Sequence, residues 1–369
     1  MAPARCDNNS SVTPMRRDNS SSVTPMRRDN SSMRLNRLSF ALLTCAVALT
    51  SPSWAFETEF PSAGKCSFAK RPPVVLTERQ IAGFCKFDHD TQSFAGTPAE
   101  QARCLLNPIE PVGRLGTAME TLPAALETRV GGDTDLPSRD ALAGLLRDRG
   151  ASQNVIDTLA QPVSHAHDND PMARPATYIV FHDTSTPNYR TQPWPVSIDD
   201  NPKINNLARY ACSNDIERAH VFINRGGRIY LAHDFTVPWR ATKFETAKNF
   251  GPALKGLFLH VELIQPRRAL KGYGSRNDFL APKPGFTPAQ YESLALIYTV
   301  ASRRAGFWMI PAFHSVLDEG IRNKHDDPQN FELAQFAQSL DALVGELRTR
   351  TAAADANPEA AKAEARKPD

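Results

Sequence analysis

Tyr178-Ile-Val-Phe-His182-Asp-Thr-Ser185 is the stretch on which the reading of the fold turns. β-Branched and aromatic residues run up to His182, then small polar residues and Pro187 stop the run. That pattern predicts a short buried strand ending in a histidine. A sheet fixes the backbone of its strands, so a histidine at a strand end can hold a metal ion rigidly. Taken alone, His182 reads more simply as a satisfied histidine. Three features downstream change its weight: Glu262 inside another apolar run, then His314, then the cluster His325-Asp326-Asp327-Pro328.

Working outward, Ala219-His-Val-Phe-Ile-Asn-Arg-Gly226-Gly227-Arg-Ile-Tyr-Leu-Ala232 reads as a β-hairpin, two apolar runs joined at a Gly-Gly turn. Gly256 to Ile264 is apolar almost throughout, which suits a strand buried on both faces. Glu262 is the anomaly within it, because a buried carboxylate is costly unless paired or close to a metal. The plain alternative is a salt-bridged glutamate, with Arg267 or Arg268 as partner. Ile204 to Cys212 looks like a short helix. The clearest helix runs from Thr287, a cap, through Pro288 at the first helical position to Arg304, with Gly306 closing it. Trp308 to Phe313 is a short strand leading to His314, and Phe331 to Leu347 forms a last amphipathic helix.

Upstream, residues 56–161 are proline-punctuated and carry no catalytic constellation. The best element there is a helix capped by Ser138, with Leu142, Leu145 and Leu146 on one face and Gly150 at its end. His165-Ala-His167-Asp168 lies beside Asn169, Asp170 and Pro171 and reads as a solvated loop. The chain opens on a near-verbatim polar repeat, Ser11 to Ser20 and Ser22 to Ser31, which cannot build a core. Met33 to Arg37 then supplies a positive region, Leu38 to Thr50 an apolar run, and Ser53-Trp-Ala55 small residues at −3 and −1. This is the pattern of a secretory signal cleaved after Ala55, with translation starting at Met33. The apolar run is too short to span a bilayer comfortably, and Cys45 gives only a faint lipoprotein pattern. Export changes how cysteines read: Cys66, Cys85, Cys104 and Cys212 remain after cleavage, an even count that suggests disulfides. The 43 basic against 40 acidic residues leave a net charge of +3, and no basic stripe with aromatics occurs, which excludes a nucleic-acid partner. Residues from Thr351 onward, rich in Ala, Glu, Lys and Pro, read as a disordered tail.

His182, His314 and an aspartate together supply an N, N, O ligand set of the kind that holds catalytic zinc with a position left for water. Zinc acidifies that water and polarises a carbonyl. Glu262 would take the water's proton and pass it to a leaving amine. The chemistry suits amide hydrolysis.

In order and spacing the motifs resemble those of the zinc-dependent N-acetylmuramoyl-L-alanine amidases of the type-2 family, related to peptidoglycan-recognition proteins. The resemblance covers roughly Ala176 to Leu340. Val180-Phe-His182-Asp-Thr resembles the first strand, whose histidine binds zinc, and Leu259-His-Val-Glu262-Leu the strand of the catalytic glutamate. Phe286-Thr-Pro-Ala-Gln-Tyr-Glu-Ser-Leu resembles the long helix. Phe313-His314-Ser resembles the second ligand and Asp327-Pro328-Gln-Asn-Phe331 the third. The family usually shows Lys-x-Asp-Pro at the third ligand, with the lysine assisting. Anchoring on Asp-Pro makes Asp327 the ligand and puts His325 in the lysine's place; anchoring on Lys-x-Asp makes Asp326 the ligand and keeps Lys324. The first is the longer match. Ala219 stands where some relatives carry a tyrosine, and Arg240 where relatives often have a histidine. His220 keeps a position common in the family, so Arg240 and His220 are candidate substrate contacts. His233 and His260 read as packing residues.

The resemblance implies an α/β fold, a central mixed β-sheet flanked by helices, with an N-terminal extension. It implies a Zn2+ cofactor, peptidoglycan or muropeptides as partner, and a periplasmic or secreted location with no stable membrane span after signal removal. The expected organisation is a repeat at 1–32, a signal peptide at 33–55, an extension or accessory region at 56–170, the zinc amidase domain at 171–347 and a tail at 348–369. Two other functions fit the same residues: a recognition protein that binds peptidoglycan without cutting it, and a zinc amidase for a different amide.

Overall fold

A computed structural model describes residues 56–57, 75–211 and 219–356. The polar repeat, the signal segment with Cys45, the cysteines Cys66 and Cys212, and the tail beyond residue 356 lie outside the described residues. Six strands form the central sheet: β1 (Phe56–Glu57), β2 (Tyr178–Asp183), β3 (Val221–Ile223), β4 (Ile229–Leu231), β5 (Phe258–Leu263) and β6 (Ile310–Phe313). Their order is β1-β4-β3-β5-β2-β6. Only the β3–β4 hairpin is antiparallel; the other neighbours run parallel, so the sheet is mixed. The expected hairpin is present, and Gly227 at its turn has φ +82 and sits so close to Ala289 that a side chain would collide with that residue's carbonyl. β2 and β5 are buried along their whole length, as runs without polar alternation require.

Alternation along β2 sends its side chains to two layers. Phe181 meets Tyr298 and Phe336, 6.5 and 5.2 Å between ring centroids. These residues belong to two helices described below. Tyr178, on the opposite face, packs on Phe94 and Phe258. His182 shares that face by its even spacing from Tyr178. The sheet is therefore flanked on both sides, an α/β fold.

Five helices matter to the site: α1 (Pro98–Leu105), α2 (Arg139–Asp148), α3 (Pro288–Ala305), α4 (His314–Leu317) and α5 (Leu333–Ala356). Thr287 and Gln290 form a capping box at the start of α3, Pro288 fills its first turn, and Gly306 ends it in the left-handed conformation. Ser138 caps α2 by accepting from Ala141 N. Two expectations are corrected. The segment predicted as a helix from Ile204 holds only a 3-10 turn, Leu207–Tyr210. The last helix runs past Leu347 to Ala356.

The region before the sheet does not form a core of its own. Leu105, Leu126, Leu142, Leu145 and Leu146 are buried in the same hydrophobic cluster as β2, β5 and α3. Each such leucine withdrawn from water contributes about 1.5–3 kcal/mol. Polar contacts complete the join: Tyr178 Oη donates to Gln101 Oε1 at 2.8 Å, and Trp308 Nε1 to Thr134 O at 2.7 Å. Cys85 and Cys104 are disulfide-bonded, Cα–Cα 5.8 Å, tying α1 to the chain before it. Among the described residues no helix is long and apolar enough to cross a membrane.

Candidate metal centre

Sheet register builds the site. His182 pairs with Glu262 across β2 and β5, and Phe181 pairs with Phe313 across β2 and β6. His314 follows Phe313 directly and opens α4, so three candidate groups meet at the carboxyl ends of adjacent parallel strands. Open α/β sheets bind their ligands in that crevice.

His182 Nδ1 lies 2.9 Å from His314 Nδ1. Asp327 Oδ2 lies 3.1 Å from His314 Nδ1 and 3.6 Å from His182 Nδ1. All three residues are buried. Tetrahedral zinc with bonds of about 2.0–2.1 Å sets its ligand atoms about 3.3 Å apart, the scale of these separations. Asp327 Oδ1 is buried without a hydrogen-bond partner. A proton can bridge one pair of the converging atoms, whereas a divalent cation satisfies all three, so the residues fit zinc. Without metal, desolvation opposes charge on His314, but Asp327 and Asp318 outweigh it and hold the imidazolium well above its ordinary pKa. Burial and the neighbouring His314 push His182 down to about 4, so it is neutral.

The two adjacent aspartates part company. Asp327 joins the histidines, while Asp326 turns toward Arg267 Nη1 at 3.5 Å. Arg267 is fully buried and also clamps Asp183, 2.5 Å from Nη2 to Oδ2 and 3.3 Å from Nε to Oδ1. Such a cation tolerates burial only because its partners surround it. The salt bridge entertained for Glu262 is thus not made: Arg267 is committed to the aspartates, and Arg268 lies over the Trp194 ring. Glu262 Oε2 is buried with no hydrogen-bond partner. Burial, reinforced by Asp327 and Asp183, holds its carboxyl well above the usual range.

His325 stacks on His314, ring centroids 4.7 Å apart, with its Nδ1 3.6 Å from Asp327 Oδ1. Its side chain keeps 39% of its exposure, which makes it the open edge of an otherwise buried cluster. Partial burial and the His314 charge push it down to about 4. Lys324 instead pairs with Glu319.

Neither candidate substrate contact is brought to the cluster. His220 is wholly buried and both ring nitrogens are used, Nδ1 accepting from His260 N at 3.1 Å and Nε2 facing Val237 O at 3.1 Å. Arg240 lines a surface cavity of about 620 Å³ with His167, Asp168, Asn249 and Lys255, which contains no member of the cluster. His167 and Asp168 take left-handed backbone angles in the turn read as a solvated loop. His233 stacks on Trp239, 4.2 Å between centroids.

Three functional residues escape a reading for ligands. His260, read as packing, has Nδ1 3.1 Å from His182 Nε2. Its own Nε2 lies 3.2 Å from Glu245 Oε1, and burial pushes that carboxyl up to about 7 against the pull of Thr242 and Ala241. Asp318 Oδ2 lies 3.1 Å from His314 Nε2. Two signals were present. His260 shares a strand face with Glu262 at a spacing of two, and Asp318 lies at i+4 from His314. For Glu245 the sequence offers no comparable signal.

No family model matches the chain and no curated protein matches it. Among solved structures it is similar to the Ph2119 endolysin from Thermus scotoductus MAT2119 bacteriophage Ph2119, at 14% identity and a TM-score of 0.27, over 46% of this chain and 86% of that one. It is also similar to a selenomethionine AmpD derivative at 18% identity and a TM-score of 0.27, over 49% and 94% of the two chains. A third is the endolysin and N-acetylmuramoyl-L-alanine amidase LysCS from Clostridium intestinale URNW, at 16% identity and 0.25, over 49% and 90%.

Proposed function

We propose that this chain is an exported zinc-dependent hydrolase that cleaves the amide between N-acetylmuramic acid and L-alanine in peptidoglycan or muropeptides. The observation that carries the reading is the convergence of His182, His314 and Asp327 beside a buried carboxyl, Glu262, whose Oε2 has no partner. The motif order along the chain supports the substrate class. The Cys85–Cys104 disulfide supports an oxidising, periplasmic or secreted location.

In this reading His182 Nδ1, His314 Nδ1 and Asp327 hold the zinc ion. Zinc bound there supplies Lewis acidity, polarising the scissile carbonyl and acidifying water. Glu262 Oε2 accepts a proton from the attacking water and returns it to the leaving amine nitrogen, a task for which a raised carboxyl pKa is suited. His325, neutral at pH 7, donates a ring N–H to the developing oxyanion from the open edge of the site. Arg267 takes no part in proton transfer; it holds Asp183 and Asp326 still on either side of the Asp327 segment.

The test uses the chain from Phe56 onward. It is expected to carry about one zinc per chain and to release stem peptides from muropeptides. Asp327→Ala should lose both metal and activity, while Asp326→Ala keeps the metal. A zinc-replete protein that binds muropeptides and never cleaves them would overturn the hydrolase reading. Retention of metal by Asp327→Ala would overturn the ligand assignment.

A further inference from the structure

Both ligand histidines present Nδ1 to the cluster, so each must carry its proton on Nε2 to ligate as a neutral ring. His314 meets that requirement directly, with Nε2 3.1 Å from the Asp318 carboxylate. His182 has no carboxylate on its Nε2. It faces a second imidazole, His260 Nδ1, at 3.1 Å. An imidazole can either donate or accept at that position, so something further must decide.

Glu245 decides. It and His260 are both wholly buried, and its Oε1 lies 3.2 Å from His260 Nε2. Its other oxygen accepts from Thr242 Oγ1 at 2.8 Å, Thr242 N at 3.1 Å and Ala241 N at 3.3 Å. The Thr242 hydroxyl also accepts from Glu245 N at 3.1 Å, which leaves its single hydrogen for the carboxylate. With three donors on Oε2, Glu245 in its carboxylate form, which it holds above about pH 7, accepts the Nε2–H of His260 on Oε1. The lone pair of His260 then sits on Nδ1 and accepts the Nε2–H of His182. The lone pair of His182 is left on Nδ1, facing His314 and Asp327. The ring of His260 stacks on His220 at 5.7 Å and 16° between planes, which keeps it in this orientation.

We infer that Glu245 and His260 form a tautomer relay, and that Glu245 is a positioning residue that sets which nitrogen of His182 is free for the metal. One loop serves both ligands. Lys243 N and Phe244 N donate to the Asp318 carboxylate at 3.3 and 3.0 Å, between the residues that grip Glu245 and Glu245 itself. The segment 241–245 thereby fixes the outer partners of His182 and His314 together. Such outer partners commonly change metal affinity by about 10–100-fold when altered. The inference deepens the zinc reading above and rests on it.

Glu245→Gln and Glu245→Ala separate the relay from simple structural support. In Glu245→Gln the three donors of Thr242 and Ala241 select the amide oxygen. The amide nitrogen then faces His260 Nε2 and donates to it. His260 becomes protonated on Nδ1, and His182 is driven to carry its proton on the nitrogen that should bind metal. Glu245→Ala removes the acceptor without imposing the wrong tautomer, but leaves a void and unpaired donors. Zinc affinity of metal-free protein, read by competition with a chelator, should therefore fall in the order wild type, Ala, Gln, with Gln weaker than wild type by about 10–100-fold. Thermal stability without metal should fall in the order wild type, Gln, Ala. Affinity that follows the stability order, or Glu245→Gln binding zinc as tightly as wild type, overturns the relay. Should Glu245→Gln not fold, His260→Gln decides: a loss of about tenfold supports it and unchanged affinity overturns it. A wild-type chain that binds no zinc overturns the metal reading itself, which no variant result can do.

Discussion

The two sides of the candidate site are held by different means. His182 and Glu262 stand opposite each other on neighbouring strands, so the hydrogen-bond ladder of the sheet sets their spacing before any side chain packs. Asp327 and His325 come from the irregular stretch between α4 and α5. Their placement depends on individual contacts. Asp327 O accepts from Ser315 N at 2.9 Å, Asp183 N reaches Asp327 Oδ2 at 3.3 Å, and Arg267 ties Asp326 to Asp183. The extension adds a further one, because Gly113 packs directly on Asp326. A ladder is robust to the loss of any single side chain, whereas a segment held by a few polar contacts is not. Changes on the strand side that spare His182 and its partner His260 should therefore alter chemistry and leave the metal in place. Loss of Asp327, or displacement of the segment that carries it, should alter the metal.

Glu262→Gln is the sharpest test of the strand side. It keeps the shape of the side chain and removes the group that moves the proton. Activity on muropeptides should fall by about 10²–10⁴-fold while zinc content stays at the wild-type level. Loss of zinc in this variant would mean that Glu262 itself helps to hold the metal, and the division between the two sides would fail.

The dependence of zinc affinity on pH joins the two sides, because His314 sits between His182 and Asp327. Its pKa in the metal-free chain is held well above the ordinary value: desolvation lowers it, but Asp327 and Asp318 raise it further. Below that pKa the chain carries a proton that zinc must displace. Desolvation raises the Asp327 pKa, but the His314 charge and the hydrogen bonds from His182 and His314 outweigh it and hold the carboxyl well below its ordinary value, so it adds no proton near neutrality. Affinity should weaken by about tenfold for each unit the pH falls below the His314 pKa and level off above it. Chelator competition across pH checks this, and a flat profile around neutrality would show that Asp327 does not hold His314 in its charged form.

The same division decides what could be read in the sequence. The strands announced themselves through unbroken apolar runs, and the odd residues within them, His182 and Glu262, were visible against that background. The long helix was equally plain from Thr287, Pro288 and Gly306. The 3-10 turn at Leu207 was misjudged because a few apolar residues at helical spacing do not specify how many turns will form. On the loop side the pattern Lys324-His325-Asp326-Asp327 permits two alignments, and local sequence favours Asp327 only by the longer match through Pro328 to Phe331. The buried Arg267 separates them in space by taking Asp326. Arg240 and His220 were singled out by their alignment to family positions, and burial or a different cavity claims each of them. Glu245 was invisible because its partner, His260, stands on β5 and no local pattern links the two.

The smallest effect expected concerns the extension, and it sharpens the comparison most. Gly113 has φ +69 and is buried against the loop that carries Asp327. A β-carbon there would lie 2.8 Å from Asp326 Cβ and 3.3 Å from Asp326 Cα. Gly113→Ala therefore imposes two costs. The left-handed backbone costs about 1–2 kcal/mol for any residue with a side chain. The collision is relieved only if the segment before Asp327 moves. Gly306→Ala isolates the first cost, since Gly306 has φ +85 and no atom within 4 Å of an added β-carbon. Both variants should melt at lower temperature, Gly113→Ala by the larger amount. Only Gly113→Ala should also weaken zinc binding, by about threefold to tenfold, on the scale of a loss of about 1 kcal/mol. If both variants bind zinc equally, the loop side holds its shape without the extension, and the contrast between ladder and loop is weaker than the contacts imply. If only Gly113→Ala loses affinity, a turn some two hundred residues away in sequence is part of what holds the third ligand in place.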